Sequence, residues 1–303
     1  METREASATA GDSSEGGALA SRVRLLAAAG LFSLAGALVK GVSLDGWQVA
    51  SFRSAVAALV LFALLPEARR RPPGRVVAAA SVYSATMITF ILATKLTTAA
   101  SAIFLMAAAP LYVLLLGPWL LRERTTLPDI LYMVALAAGL GALFVEMDPA
   151  SATAPDPRLG NLLAVLSGVC WALTLISLRG LSRQREGGAI DWGPAASVWG
   201  NVITFAVCLP LALPVEGGSP SDWLGVAVLG VFQLGLGYFF LVRGLRRVPA
   251  LEASLLLLLE SVLNPVWAWL VHGERPGGWT LAGGSLILLA TVARTGWDAR
   301  RGL

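Results

Sequence analysis

The chain has 303 residues, 56% of them hydrophobic and only 14% charged, with a formal net charge of +4. A soluble domain carries about 25% charged residues and clothes its helices with a polar outer face, so this composition excludes an ordinary soluble enzyme. The basic balance does not point to nucleic acid, because the arginines sit at the ends of apolar runs and form no stripe.

The first 21 residues, METREASATAGDSSEGGALAS, are small and polar and read as a disordered tail. Arg22 and Arg24 then precede an apolar run. That run is nearly long enough to span, so it reads as an uncleaved first helix rather than a signal peptide. Ten apolar stretches follow one another, at about 24–41, 47–65, 76–95, 100–121, 127–145, 159–178, 195–213, 223–242, 250–271 and 278–293. A membrane-spanning helix needs about 20 mostly apolar residues. Residues 76–94 and 159–178 carry no charge at all. The expected fold is an all-α membrane protein with ten transmembrane helices. Its divisions are a tail at 1–21, a five-helix unit at 22–146, an outer linker at 147–158, a second five-helix unit at 159–295, and a tail at 296–303. Cys170 and Cys208 fall inside helices and read as packing residues. The single His272 lacks a ligand partner, so neither a metal site nor a cofactor is expected.

Arginine placement predicts the orientation. With the N-terminus inside, 18 of the 23 basic residues fall on the cytoplasmic side, whereas the outer loops hold only Arg158 and Arg275. Cytoplasmic loops retain Lys and Arg, so both termini are expected in the cytoplasm of a multi-pass protein of the cell (inner) membrane. Lys40, Arg53 and Lys95 lie within helices, toward their outer ends.

The chain also repeats itself. A shift of 151 places Ala93–Arg124 on Gly244–Arg275, so that Lys95 meets Arg246, Ala102 meets Ala253, and Glu123-Arg124 meets Glu274-Arg275. Five helices per half is an odd number, so the second half enters from the opposite side and the two are inverted. Inverted repeats characterise secondary transporters, whose substrate site lies near the midplane. The stretch from Lys95 to Ala102, then Pro110 and Arg122-Glu123-Arg124, and in the second half Arg243 to Ala250, Leu258-Leu259-Glu260 and Gly273-Glu274-Arg275, resembles the EamA-type branch of the drug/metabolite transporter superfamily. The resemblance covers about residues 24–294. It implies ten helices, cytoplasmic termini, a central cavity and movement of small metabolites by alternating access. One departure is Ser261, where the family usually places proline after the ninth-helix Glu; Pro265 follows one turn later.

Seven residues are candidates to line the cavity. Glu260 is the one acid deep within an expected span, and intramembrane acids are costly and face the protein interior. It suits a structural hydrogen bond, a coupling proton or a substrate amine; the family resemblance favours structure. Asn264 and Trp267 follow at i+4 and i+7 and share its face, which suits a small polar ligand or, more readily, a satisfied interhelical network. Arg53, about 9 Å into helix 2 at 1.5 Å per residue, suits a substrate carboxylate, outward snorkelling or a structural role. Gln233 and Tyr238 on helix 8 and Trp171 on helix 6 suit either ligand contact or packing. Lys40 and Lys95 read as snorkelling. Pro110 and Pro265 interrupt the fourth and ninth helices at matching places and read as kinks or gates.

The function expected is a secondary transporter, an exporter, of small polar metabolites, amino acids among them. Its partners are a small-molecule substrate and the lipid bilayer, with no nucleic acid; monomer and homodimer both stay open. A channel or a non-transporting scaffold is the alternative, and an intramembrane enzyme is weaker still, since no HExxH, GxSxG or paired catalytic Asp appears.

Overall fold

The computed structural model describes residues 19–109, 111–112, 115, 127–145, 150–183, 191–215, 217–244, 248 and 250–301. Pro110, the end of the fourth span, the Arg122-Glu123-Arg124 motif, Arg246 and most of the N-terminal tail lie outside the described residues.

Among the described residues the chain is almost wholly helical, with one isolated backbone bridge between Ser151 and Ala154. In chain order the helices are α1 (Leu19–Gly41), α2 (Gly46–Leu64), α3 (Gly74–Leu96), α4 (Ala99–Ala107), α5 (Leu127–Val145), α6 (Pro157–Arg183), α7 (Gly193–Ala212), α8 (Pro220–Gly244), α9 (Ala250–His272) and α10 (Gly278–Arg301). Seven of these, α1 to α3 and α5 to α8, are long and apolar enough to cross a membrane, while Leu256–His272 and Gly278–Arg294 are shorter apolar helices. The expected C-terminal tail from 296 is helical up to Arg301, because α10 continues past its apolar part. The helix α1 likewise begins at Leu19, inside the expected disordered tail.

Local chemistry sets the helix starts. Asp45 accepts from Trp47 N at 2.8 Å and Gln48 N at 2.9 Å, while Gln48 Oε1 accepts from Asp45 N at 3.1 Å. This reciprocal cap satisfies amides that have no partner within the first turn. Ser219 and Asp222 do the same for α8, with Pro220 in the first turn. At the other end of α9, Gly273 adopts φ +66, a left-handed value that terminates a helix without a Cβ clash.

Three helices depart from regularity. The ladder of α1 breaks at Leu34, α4 closes at Ala108, and α8 widens into a π-helical segment over Leu229–Leu236. Pro265, expected to interrupt helix 9, lies inside an unbroken α9: the turns on either side keep their bonds although proline itself donates none.

Packing follows membrane logic. The helix α3 lies against α6 and α7, α2 against α7 and the π segment of α8, and α5 against α10. Leu59, Leu131, Leu224 and Leu289 point outward and are more than 60% exposed, which suits a lipid-facing surface. Inside are two apolar clusters. One gathers Val39, Val49, Ile91, Ile103, Leu136, Leu229 and Ile287; the other gathers Leu25, Leu61, Val76, Tyr83, Leu234 and Leu241. Each of α2, α3 and α8 contributes to both clusters, so their central residues form a layer between them.

Candidate functional site

Polar side chains collect in that central layer. Arg53 follows Val49 and precedes Ala57 on α2, and its side chain is wholly buried. Its Nη1 donates to Gln233 Oε1 at 3.2 Å, and its Nη2 lies 3.5 Å from Met87 O and 3.7 Å from Met87 Sδ. Arg53 Nε has no acceptor. The guanidinium therefore neither reaches the surface nor holds a loop, because it is wholly buried and its acceptor lies on α8. Gln233 reaches it because Gly230 allows α8 to approach α2: a Cβ at Gly230 would lie 2.5 Å from Val56 Cβ and 2.8 Å from Arg53 O.

Two tyrosines flank the pair. The rings of Tyr83 and Tyr238 pack edge to face at 5.2 Å, and Phe32 lies 5.2 Å from Tyr238 on its other side. Asn201 Nδ2 donates to the Tyr83 hydroxyl at 3.0 Å. Nearby, the Thr86 and Thr174 hydroxyls meet at 3.2 Å, and Thr204 donates to Ser84 at 2.9 Å. The Thr86, Thr174 and Thr204 hydroxyls also lie within hydrogen-bond distance of carbonyls of their own helices, and the cross-helix pairs join α3 to α6 and α7.

The face expected on α9 is present. Trp267 Nε1 donates to Ser33 Oγ at 3.0 Å, where α1 breaks. Asn264 packs against Gly36, a position where any Cβ would strike its amide. Its side chain is buried, yet neither Nδ2 nor Oδ1 has a partner. Glu260, partly buried, lies within electrostatic range of Tyr238 and makes no hydrogen bond or ion pair among the described residues. Arg53 and Gln233 thus bond directly, and Asn264 and Trp267 line α1. Trp171 is half-buried on α6 and bonds to none of these residues among those described.

Tyr83, Asn201 and Ser33 are not among the residues that the sequence singles out. The available signal was a hydroxyl or amide in the middle of an apolar run. Lys40 and Lys95 do not snorkel as expected. Lys40 is buried and ion-paired with Glu274 at 3.6 Å, and it also donates to Thr97 O at 2.8 Å and to Thr153 O. Lys95 donates to Val42 O. Carbonyls left free at helix ends supply closer partners than water does. Burial pushes the Glu274 carboxyl above its ordinary range, against the pull of Lys40 and of the Ala99 N–H that donates to it at 2.6 Å.

A polytopic helical bundle with outward-pointing leucines and buried polar groups at its centre defines a multi-pass membrane protein. The chain belongs to the EamA-like transporter family, whose model matches residues 23–145 and 158–294. It is 28% identical over 270 residues to the pseudopaline exporter CntI of Pseudomonas aeruginosa strain UCBPP-PA14, which covers 86% of this chain and 91% of that protein. It is 27% identical over 179 residues to an uncharacterized transporter of Methanothermobacter thermautotrophicus, covering 59% of this chain and 51% of that one. A solved structure described as "Crystal structure of protein" shares the fold at TM-score 0.63 and 20% identity, covering 93% of this chain and 98% of that chain.

Proposed function

We propose that this protein is a secondary transporter that exports small polar metabolites, amino acids among them, by alternating access. The reading takes the chain as ten spans in two inverted five-helix halves, with both termini cytoplasmic and the halves rocking about a midplane cavity. Arg53, Gln233, Tyr238, Glu260, Asn264 and Trp267 border that cavity, and Trp171 completes its wall.

The observation that carries the reading is the buried Arg53–Gln233 pair, on helices that contribute to both apolar clusters, with the edge-to-face Tyr83 and Tyr238 of the second cluster. Burying such groups is costly, and in membrane proteins they mark substrate or ion paths. The broken α1 and the π-helical turn of α8 border the same layer, and irregular backbone at membrane depth lines cavities. The direction, export, is supported by the similarity to a protein named as an exporter.

Counterflow in proteoliposomes is the test. A transporter preloaded with unlabelled substrate accumulates labelled substrate transiently and saturates. Flux that rises linearly with concentration and shows no counterflow indicates a channel and overturns the proposal.

A further inference from the structure

The turn between α2 and α3, with the first residues of α3, carries four arginines, Arg69, Arg70, Arg71 and Arg75, against one acid, Glu67. The fold fixes this turn in place. Leu65 and Ala68 are buried in the second apolar cluster together with Val76 of α3. The short 3-10 segment Pro66–Arg69 packs on α7, and Pro72 and Pro73 restrict the backbone before α3 begins. Arg69 is engaged by the fold itself. Its Nε and Nη2 donate to Phe62 O and Ala63 O, each at 3.3 Å, and its guanidinium lies 5.6 Å over the Phe62 ring. These carbonyls end α2 and have no partner within the helix.

Arg70, Arg71 and Arg75 differ from Arg69. All three are exposed, and none makes a hydrogen bond, ion pair or ring contact among the described residues. A Cβ at Gly74, between Arg71 and Arg75 in the chain, would meet nothing within 4 Å, so the start of α3 borders open space. Their depth follows from the helices they join. Both Gly46–Leu64 and Gly74–Leu96 are long and apolar enough to cross a membrane. Outward-pointing apolar side chains run up to the turn on each, with Leu59, Phe62 and Leu64 on α2 and Val77 on α3. The three arginines therefore stand where the apolar outer surface ends, at the level of lipid headgroups.

We propose that Arg70, Arg71 and Arg75 form a docking surface for the headgroup phosphate of an anionic phospholipid, whose chains lie along the outward faces of α2 and α3. A guanidinium is always charged and matches two phosphate oxygens with two N–H donors. The backbone that carries the three is anchored by Leu65 and Ala68 before a ligand arrives, which lowers the cost of binding. The partner is a lipid rather than a free anion, because acyl chains attached to the phosphate cover Phe62 and Val77, which adjoin the arginines. An anionic headgroup is favoured over a zwitterionic one, because a choline ammonium would add a cation to three that have no partner. This surface lies on the outside of the bundle, so the proposal holds whatever solute is transported.

The test titrates the full chain in neutral detergent with short-chain phosphatidylglycerol, short-chain phosphatidylcholine or inorganic phosphate, and reads bound lipid by native mass spectrometry. Phosphatidylglycerol should bind, less tightly as salt is added, and phosphatidylcholine should bind more weakly. The triple variant Arg70→Gln, Arg71→Gln, Arg75→Gln should bind phosphatidylglycerol about 100-fold less tightly, the sum of three contributions of about 1 kcal/mol each. Arg158→Gln combined with Arg275→Gln is the control. Both arginines are exposed at the opposite end of the bundle, near Leu96 and Lys40, and their loss should leave the affinity unchanged. Phosphatidylcholine that binds as tightly as phosphatidylglycerol overturns the proposal, and that comparison needs no variant. A triple variant with wild-type affinity overturns it too. Inorganic phosphate that displaces the lipid at equal concentration assigns a free-anion site and overturns the lipid.

Discussion

Lys40 Nζ lies 3.6 Å from Glu274 Oε2, with both side chains almost wholly buried, and this pair joins the end of α1 to the turn between α9 and α10. Around it, at the end of the bundle remote from both termini, Ser43 N donates to Asp222 at 2.6 Å and Asp156 N donates to Leu96 O at 3.1 Å. Thr97 Oγ1 donates to Asn161 at 2.6 Å. Residues far apart in the chain thereby close one end of the molecule.

Lys40→Met should weaken that closure. The ammonium is ion-paired with Glu274 at 3.6 Å and donates to the carbonyls of Thr97 and Thr153, and a buried acceptor that loses its donor costs about 1–3 kcal/mol. Thermal unfolding of the detergent-purified protein should show a lower midpoint. An unchanged midpoint would mean that the two carbonyls and the carboxylate find water.

The Glu274 carboxyl is raised above its unfolded value by burial. The protonated form is therefore the better accommodated one. Its contribution to stability is fully present below the ordinary glutamate range and is lost as pH rises through the raised folded value. Glu274→Gln keeps an acceptor for the Ala99 N–H and does not titrate, so its stability should lack this fall with pH. A pH series of unfolding midpoints for the two proteins checks this; parallel curves contradict it.

Gly230→Ala should separate α8 from α2. The new methyl would meet Val56 and the backbone oxygen of Arg53, and backbone cannot rotate away. Overpacking of this kind costs about 1–3 kcal/mol, and here it also pulls Gln233 from Arg53. Gly141→Ala, whose new methyl would have nothing within 4 Å, is the matched control and should be tolerated. Equal midpoints for the two variants would sink the argument.

Tyr83→Phe should lower stability by about 1 kcal/mol, because the buried Asn201 amide loses an acceptor. Asn201 Nδ2 keeps a bond to Ser197 O at 2.9 Å, which limits the loss. A midpoint equal to wild type would indicate that this second bond suffices.

Cysteines placed at Ser13 and Ser151 in a cysteine-free background test the proposed orientation. On intact cells an impermeant thiol reagent should label Ser151→Cys and spare Ser13→Cys. The opposite pattern would reverse the topology.

The helices were legible in the sequence, because the bilayer demands long apolar runs. The shared face of Glu260, Asn264 and Trp267 was legible for the same reason, since a helical period sets it. The partners of these residues were not. Arg53 meets Gln233 across 180 residues of chain and Trp267 meets Ser33 across 234. Lys40 found Glu274 and free carbonyls rather than water, although its position at a helix end suggested snorkelling.

Sequence by itself determined a multi-pass membrane transporter of the EamA-like family, since composition, helix length and paired motifs are properties of contiguous residues. Only the tertiary structure decided that Arg53 is buried with no acid paired to it among the described residues, that α1 breaks opposite Trp267, and that α8 widens beside Gln233. Those outcomes depend on close approach at Gly36 and Gly230 and on which distant side chain fills each space. Such contacts arise only when separate helices pack, and a one-dimensional pattern carries no measure of that packing.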